Sequence, residues 1–451
     1  MDILTLFTCC STLTTSTIIC QLAIIAQAML TMTGGVTMLN LARWTSKGGS
    51  YRTIQRFFAT RLPWTEMLVE FFRCHLFDSG EEYILGGDAT TVTKAGHQTF
   101  GLDRFFSGLR GQVVKGLEFF VFSLISVRGR KSFPLVMGQT VRSEAEKAIL
   151  KHRRQARYEV KKKGKKKRKK LTGRPKGDKN KDKEKLELSA ELLRINGLLK
   201  QLLKLIRLFV TVKYVVLDGH FGHAQAVLMA HENGLELVSK LRCDAALYEP
   251  YEGAYSGKGR RKKYGKKLNY DEIPAKYLQK SETKGGMTTN YYQGIFLNRK
   301  FSCPLNVVII EKRDVEKGKV GHVILCSSDV ELSWEKLIEY YSLRFQIEFN
   351  FRDAKQHCGL EDFMNVTEEG VKNAANLSFL MVNLSAKLLE ERAESCVGIN
   401  DLKSQFRGVF YALETIKIVQ PKAERILIEK AREVISRIGS IHRYNFSTSS
   451  A

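Results

Sequence analysis

One segment indicates the fold class of this 451-residue chain more clearly than any other: residues 341–355, with the sequence YSLRFQIEFNFRDAK. Ser333, a residue type favoured at helix N-caps, precedes it, so we expect one long helix to run through the segment. Four polar residues would share one face of that helix, within an arc of about 60°: Tyr341, Arg344, Glu348 and Lys355. Charged residues also line ordinary solvated helix faces, where i,i+4 pairs stabilise by only tenths of a kcal/mol.

Two aspartates upstream follow short apolar runs that are typical of buried strands. Asp88 follows YILGG, and Asp218 follows YVVL. Each aspartate is also compatible with a simple turn, and Asp218-Gly219 is a common turn pair. With Glu348, however, they would supply three carboxylates from two strands and a helix, which are the ligands that Mg²⁺ prefers. Two divalent cations held in this way promote the breaking and joining of phosphodiester bonds.

The other three residues of the helix face suit a phosphate group beside such a centre. Arg344 would bind it with a planar fork, Lys355 as a point charge and Tyr341 through its hydroxyl. The sequence therefore predicts a phosphoryl-transfer site in which Asp88, Asp218 and Glu348 are catalytic and bind metal.

The charge of the chain points to a polyanionic partner. It carries 73 Lys plus Arg against 47 Asp plus Glu, a formal charge of +26. Residues 151–185 contain 19 basic and four acidic residues, so we expect a solvated insertion there. Within it, Arg174 and Lys176 belong to a GRPKG motif that could enter a minor groove or simply contact phosphates, and Arg260 and Arg261 lie in a second basic cluster at 257–267.

The periodicity changes along the chain and divides it into five regions. Helical patterns dominate at both ends, and strand patterns dominate between them. We expect a helical DNA-binding region at residues 1–80 and a helical C-terminal region at 363–451. Between them we expect a catalytic α/β core in two parts, 81–241 and 321–362, with a β-rich insertion at 242–320.

The pattern Tyr341-x2-Arg344-x3-Glu348-x6-Lys355, preceded by two aspartates that follow strands, resembles the Tyr-Arg-Glu-Lys signature of DDE transposases from bacterial insertion sequences. The superfamily numbered four is the group that it resembles most. The segment GDATTVTKAG at 87–96 and the DGHFG turn at 218–222 are also similar to that family. The resemblance spans roughly residues 50–390.

This resemblance implies an RNase H-like mixed sheet flanked by helices, with an inserted β-rich subdomain. It also implies a cut-and-paste DNA transposition activity that depends on Mg²⁺, with Mn²⁺ as a substitute, and a homodimer on double-stranded DNA at transposon ends and target. Asp88, Asp218 and Glu348 would be the metal ligands, and Tyr341, Arg344 and Lys355 would contact terminal phosphates. The alternatives are an RNase H-like structure-specific endonuclease and an inactive basic DNA-binding protein.

Several other classes are disfavoured by the sequence. Nine cysteines without a CxxC pair argue against a disulfide framework, and no GxxxxGK[ST] phosphate loop is present. The apolar N-terminus is interrupted by Thr, Ser and Gln, so we expect buried helices and no membrane partner, in a prokaryotic cytoplasm with the chromosome. His220 and His223 are interpreted as loop residues and not as a metal pair, and Trp334 as a core residue that could also stack on a base.

Overall fold

A computed structural model describes residues 2–45, 49–162, 187–255, 257, 259, 261–314, 316, 318–392, 398–419 and 425–436. Within these ranges, twelve strands form one ten-stranded sheet and one two-stranded sheet, with helices on both faces of the large one. The predicted fold class, a mixed sheet flanked by helices, is confirmed.

Five strands form the part of the sheet that carries the predicted aspartates. The strands β1, β3 and β4 are antiparallel neighbours, and β5 and β6 continue the sheet parallel to β1. A sixth, short strand, β2, pairs with the first residues of β3. The bounds of these six strands are Tyr83–Thr93 (β1), Asp103–Ser107 (β2), Gln112–Ser126 (β3), Lys131–Gln139 (β4), Tyr214–Leu217 (β5) and Glu236–Leu241 (β6).

The segment predicted to be β-rich, residues 242–320, does contain strands, but most of them extend the core sheet. Only β7 (Tyr248–Pro250) and β8 (Tyr264–Lys267) form a separate two-stranded sheet. The remaining strands follow in the order β12-β11-β10-β9, because β12 pairs antiparallel with β6. Their bounds are Leu278–Lys284 (β9), Met287–Phe296 (β10), Leu305–Asp314 (β11) and Val320–Ser327 (β12). The apolar faces of β11 and β12 are thereby buried in continuity with the core.

Helices cover the two faces of the large sheet. The N-terminal helices and α9 to α12 pack on one face, whereas α7 and α8 pack on the other. The last helix, α13, packs on α12. The helices before β5 are α1 (Ile3–Phe7), α2 (Ser16–Thr31), α3 (Met38–Trp44), α4 (Tyr51–Ala59), α5 (Trp64–His75), α6 (Glu144–Lys162) and α7 (Ala190–Ile206). Those after β5 are α8 (Ala224–Glu232), α9 (Trp334–Leu343), α10 (Gln346–Gln356), α11 (Glu368–Glu391), α12 (Ile399–Val419) and α13 (Arg425–Ser436).

The expected buried helical N-terminus is seen. Apolar residues of α1 and α2 pack into the same core as α5 and α11. Among the described residues, no helix combines the length and the hydropathy that a membrane span requires.

The prediction of a single long helix after Ser333 is wrong, because the helix is interrupted at Arg344 and Phe345. The Ser333 hydroxyl does cap α9 by accepting from the amide of Lys336 at 3.4 Å. At the interruption, successive amides bond to carbonyls only three residues back, including Phe345 to Ser342 and Glu348 to Phe345. This tightened turn separates α9 from α10, so the predicted polar face is divided between two helices.

Candidate active site at one edge of the sheet

The two predicted aspartates lie side by side. In the parallel pair β1 and β5, Gly87 is in register with Leu217, so Asp88 and Asp218 leave the ladder next to each other. Asp218 follows its strand, as expected. Asp88 does not end β1, because β1 continues to Thr93 through its antiparallel pairing with β3. Only the parallel part of the pairing stops before Asp88.

Local hydrogen bonds orient both carboxylates. The amide of Ala89 donates to Asp88 Oδ1 at 2.8 Å, and the amide of His220 donates to Asp218 Oδ1 at 3.0 Å. The hydroxyl of Ser239, a fully buried residue on β6, donates to the carbonyl of Asp218 at 2.7 Å. The turn after β5 is therefore fixed from the neighbouring strand.

Glycine at position 86 allows α10 to lie against β1 at this point. A Cβ atom on Gly86 would lie 2.6 Å from Ile347 Cδ1, which is closer than atoms can approach. The close packing brings the helix that carries Glu348 over the strand that carries Asp88.

Arg344 joins the carboxylates of the strand and the helix. Its Nη1 donates to Asp88 Oδ2 at 2.5 Å, and its Nη2 donates to Glu348 Oε1 at 3.3 Å. The side chain is only 16% exposed, and its Nε is buried without a hydrogen-bond partner among the described residues. A buried guanidinium donor without a partner favours a further acceptor, such as a phosphate oxygen.

Burial dominates the electrostatics of Asp88. Removal from water is the main reason that the pKa of Asp88 is raised to about 6. Arg344 and the amide of Ala89 act to lower this pKa, and the charges of Asp218 and Glu348 contribute to its rise. The same kind of burial raises the pKa of the Tyr341 phenol, which also contacts Arg344. Three acids with a single guanidinium between two of them thus leave an excess of negative charge in a partly desolvated site.

The raised pKa predicts how Asp88 affects stability. The folded-state pKa, about 6, lies above the ordinary value of 3.8, so this group stabilises the fold fully below pH 4 and that contribution is lost as the pH rises through 6. We expect Asp88→Asn to raise the free energy of unfolding by about 2 kcal/mol at pH 8 and to change it little at pH 4. Denaturant unfolding at both pH values, with EDTA present, measures this. The exposed Asp271→Asn is the matched control, and a less stable Asp88→Asn variant at pH 8 would contradict the assignment.

Lys355 lies apart from the three acids. Its Nζ donates to the carbonyl of Thr91 on β1 at 2.8 Å and lies 3.9 Å from Glu361 Oε1. Burial lowers its pKa. Tyr341, Arg344 and the acids are therefore brought together, whereas Lys355 is held further along β1.

A second lysine near Lys355 was not predicted from the sequence. Lys94 Nζ donates to the carbonyl of Phe363 at 2.7 Å and lies 3.6 Å from the centre of its ring. Burial lowers the pKa of Lys94 to about 8. The one sequence signal for Lys94 is its position six residues after Asp88, within the GDATTVTKAG segment at 87–96.

The remaining predicted contacts lie elsewhere. Arg174, Lys176 and Arg260 fall outside the described residues, and Arg261 is exposed on the segment before β8. The ring of Trp334 packs 5.2 Å from that of Tyr291, and His220 Nε2 lies 3.2 Å from Glu191 Oε2. His220 thus pairs with a carboxylate, in keeping with its interpretation as a loop residue.

The donor chemistry of the site fits a hard divalent cation. Asp88, Asp218 and Glu348 offer carboxylate oxygens, and a cation would offset the charge that raises the pKa of Asp88. Within the ranges that the structure describes, no three His, Cys, Asp or Glu side chains already enclose a metal-sized position. Arg344 stands between Asp88 and Glu348.

Comparisons with known proteins identify a family and several similar solved structures. A family model described as "DDE superfamily endonuclease" matches residues 7–293, which include Asp88 and Asp218 and end before Glu348. No curated protein matches the chain. Among solved structures, the chain is similar to piggyBac transposase in its synaptic complex with hairpin DNA, at 9% identity and a TM-score of 0.39 over 97% of this chain and 80% of that one.

Proposed function

The chain belongs to the DDE superfamily endonuclease family, and on this basis we propose that it is a transposase. It would cleave DNA at the ends of an insertion sequence and transfer the freed 3′-hydroxyl groups into target DNA. The Tyr-Arg-Glu-Lys spacing from Tyr341 to Lys355 supports its placement in the group numbered four within these enzymes.

The observation that carries the proposal is the meeting of three acids and one arginine from three separate segments of the chain. Asp88 and Asp218 are adjacent on parallel strands, and Arg344 connects Asp88 to Glu348 on α10. A structural ion pair would not require the second aspartate, nor would it leave the buried Nε of Arg344 without an acceptor. The three carboxylates suit a bound cation, and the free donor of the Arg344 guanidinium suits a phosphate oxygen.

Each residue then has a role. Asp88, Asp218 and Glu348 would hold Mg²⁺, or Mn²⁺ in its place. When bound, the divalent ions supply charge stabilisation for the attacking and leaving oxygens of the phosphodiester. Arg344 would turn its fork and Nε to the phosphate, and the Tyr341 hydroxyl beside it would orient that group. Lys355 would add a cation along β1.

The expected partner is double-stranded DNA, at the element ends and at the target. The formal charge of +26 supports this partner, because Lys and Arg replace the counterions of the phosphate backbone. By analogy with the family that the sequence resembles, two copies of the chain would act together on the DNA. A chromosomal substrate would place the protein in the cytoplasm of a prokaryotic cell.

A strand-transfer assay tests this function. The purified chain is incubated with Mg²⁺, a supercoiled target plasmid and labelled duplexes that end in the inverted repeats flanking its gene. We expect labelled 3′-ends to become joined to the plasmid, and the same duplexes with scrambled terminal base pairs to remain unjoined.

Two other results would argue against a transposase. Cleavage of branched DNA without joining would indicate a structure-specific endonuclease. No cleavage with either Mg²⁺ or Mn²⁺ would indicate a DNA-binding protein without activity.

A further inference from the structure

A tyrosine-rich hairpin is attached to the end of β10. We call residues 248–267, of which 256, 258 and 260 are not described, the tyrosine hairpin. Its two strands are β7 and β8, and Leu247 and Leu268 at its base are buried in the core. Four tyrosines lie on it, all of them half-buried or exposed: Tyr248, Tyr251, Tyr255 and Tyr264.

Three side chains of the hairpin and its neighbour form one aromatic and cationic surface. The rings of Tyr248 and Tyr264 lie 5.5 Å apart at 66°. The guanidinium of Arg299 lies 4.8 Å from the centre of the Tyr248 ring and 5.8 Å from that of Tyr264. Cation–π contacts of this kind hold a planar cation in place while it stays accessible.

The backbone explains why Arg299 reaches these rings. The amide of Tyr248 donates to the carbonyl of Leu297 at 2.8 Å, and the amide of Leu297 donates back to Tyr248 at 2.8 Å. Arg299 follows Leu297 by two residues and is exposed. The hairpin is thus fixed to the end of β10, and its surface is built by two separate parts of the chain.

Positive charge surrounds the rings. Five exposed cations lie on the second half of the hairpin, at positions Arg261, Lys262, Lys263, Lys266 and Lys267. Two acids belong to the first half, and the carboxylate of Glu249 is paired with Lys276 at 2.9 Å. The other acid, Glu252, is exposed. The surface is therefore strongly basic, which favours a polyanion over a protein partner of mixed charge.

The hairpin is attached at the opposite end of the strands from the aspartates. Val238, Ser327, Asn306 and Ile295 lie at one level of the sheet. Leu297, which pairs with Tyr248, follows Ile295 by two residues, towards the amino end of β6. The chain therefore crosses back over the sheet between Leu241 and Tyr248, and the DNA that the hairpin contacts would lie away from the aspartates.

We propose that the tyrosine hairpin and Arg299 bind an unpaired stretch of DNA strand. This rests on the proposed function, since it assigns the hairpin a share of the same DNA substrate. Base faces would stack on Tyr248 and Tyr264 and on the plane of Arg299, while the lysines contact phosphates. Duplex DNA keeps its base faces inside the helix, so it can use only the charges of this surface.

The test compares single-stranded and duplex DNA in binding assays with the full chain. Fluorescence anisotropy is measured with labelled oligothymidylate and with a duplex of equal length, in EDTA so that no cleavage occurs. The double variant Tyr248→Leu with Tyr264→Leu keeps every charge. We expect it to bind oligothymidylate about tenfold more weakly and duplex DNA with unchanged affinity.

Two further variants act as controls. Tyr248→Phe with Tyr264→Phe keeps both rings and should bind oligothymidylate like the wild type. Arg299→Lys keeps the charge but loses the planar guanidinium. Because Arg299 is exposed, this change should weaken only the binding of oligothymidylate. It gives the answer even where the double leucine variant fails to fold.

The outcomes separate this proposal from the proposed function. Unchanged oligothymidylate binding in both the leucine and the Arg299→Lys variants would overturn the role of the hairpin, and so would equal losses for single strands and duplex. Neither result affects the strand-transfer assay, whose failure would overturn the transposase instead.

Discussion

Asp88→Asn, Asp218→Asn and Glu348→Gln should each lower the rate of Mg²⁺-dependent DNA cleavage by about a hundredfold or more. Each change removes one negative charge from the position where a divalent ion would be held. We therefore expect the affinity for duplex DNA to stay within about twofold of the wild type, because phosphate contacts elsewhere dominate it. Gel assays of end cleavage and of DNA binding measure both quantities.

A nearby half-buried acid provides the matched control. Glu118 on β3 pairs across from Thr91 of β1, but it lies near Glu191 and Arg194 of α7 and not near α10. Glu118→Gln also removes one carboxylate charge from this sheet and should leave cleavage within about threefold of the wild type. Substantial Mg²⁺-dependent cleavage by Asp218→Asn would remove the basis for the site. The expected stability of Asp88→Asn at pH 8 means that its loss of cleavage would not reflect unfolding.

Asn373→Ala should lower the free energy of unfolding by about 3 kcal/mol. Asn373 on α11 is fully buried and accepts from Nε1 of Trp64 at 2.6 Å. Its Nδ2 donates to the carbonyls of Phe58 at 2.8 Å and Thr60 at 2.7 Å. Alanine leaves these three partners buried without a hydrogen bond, which costs more than the bonds themselves contribute.

Asn376 on the same helix is the control for that measurement. Among the residues that the structure describes, its Nδ2 donates only to the carbonyl of Lys372 in its own helix, at 2.9 Å, so Asn376→Ala should cost less than about 1 kcal/mol. Denaturant unfolding followed by circular dichroism compares the two variants. Equal losses would show that Asn373 does not join the N-terminal helices to α11.

The family and the acids could be predicted because their signals are local. The apolar runs before Asp88 and Asp218 predict buried strands, and the spacing from Tyr341 to Glu348 predicts one polar face. The family match supports the superfamily, although it ends at residue 293 and so does not reach Glu348. The domain boundaries and the roles of the site residues stay predictions.

Other features could not be predicted, because they depend on pairing between distant segments. The continuation of β1 past Asp88 follows from its ladder with β3. The extension of the sheet by β9 to β12 follows from the pairing of β12 with β6, which a β-rich composition alone does not indicate. Lys355 has the predicted spacing, yet the break between α9 and α10 and the carbonyl of Thr91 determine where its ammonium lies.

The amino-acid sequence alone determines which chemical groups the protein has: three acids after or within apolar patterns, an arginine and a tyrosine at helical spacing, and a large excess of cations. Such patterns depend only on residues a few positions apart, so they can be recognised before the chain is folded. Folding alone sets the bridge from Arg344 to Asp88 and Glu348, the raised pKa of Asp88 and the placement of Arg299 over two tyrosine rings. These depend on distance and on exclusion of water, which arise only when segments hundreds of residues apart are packed together.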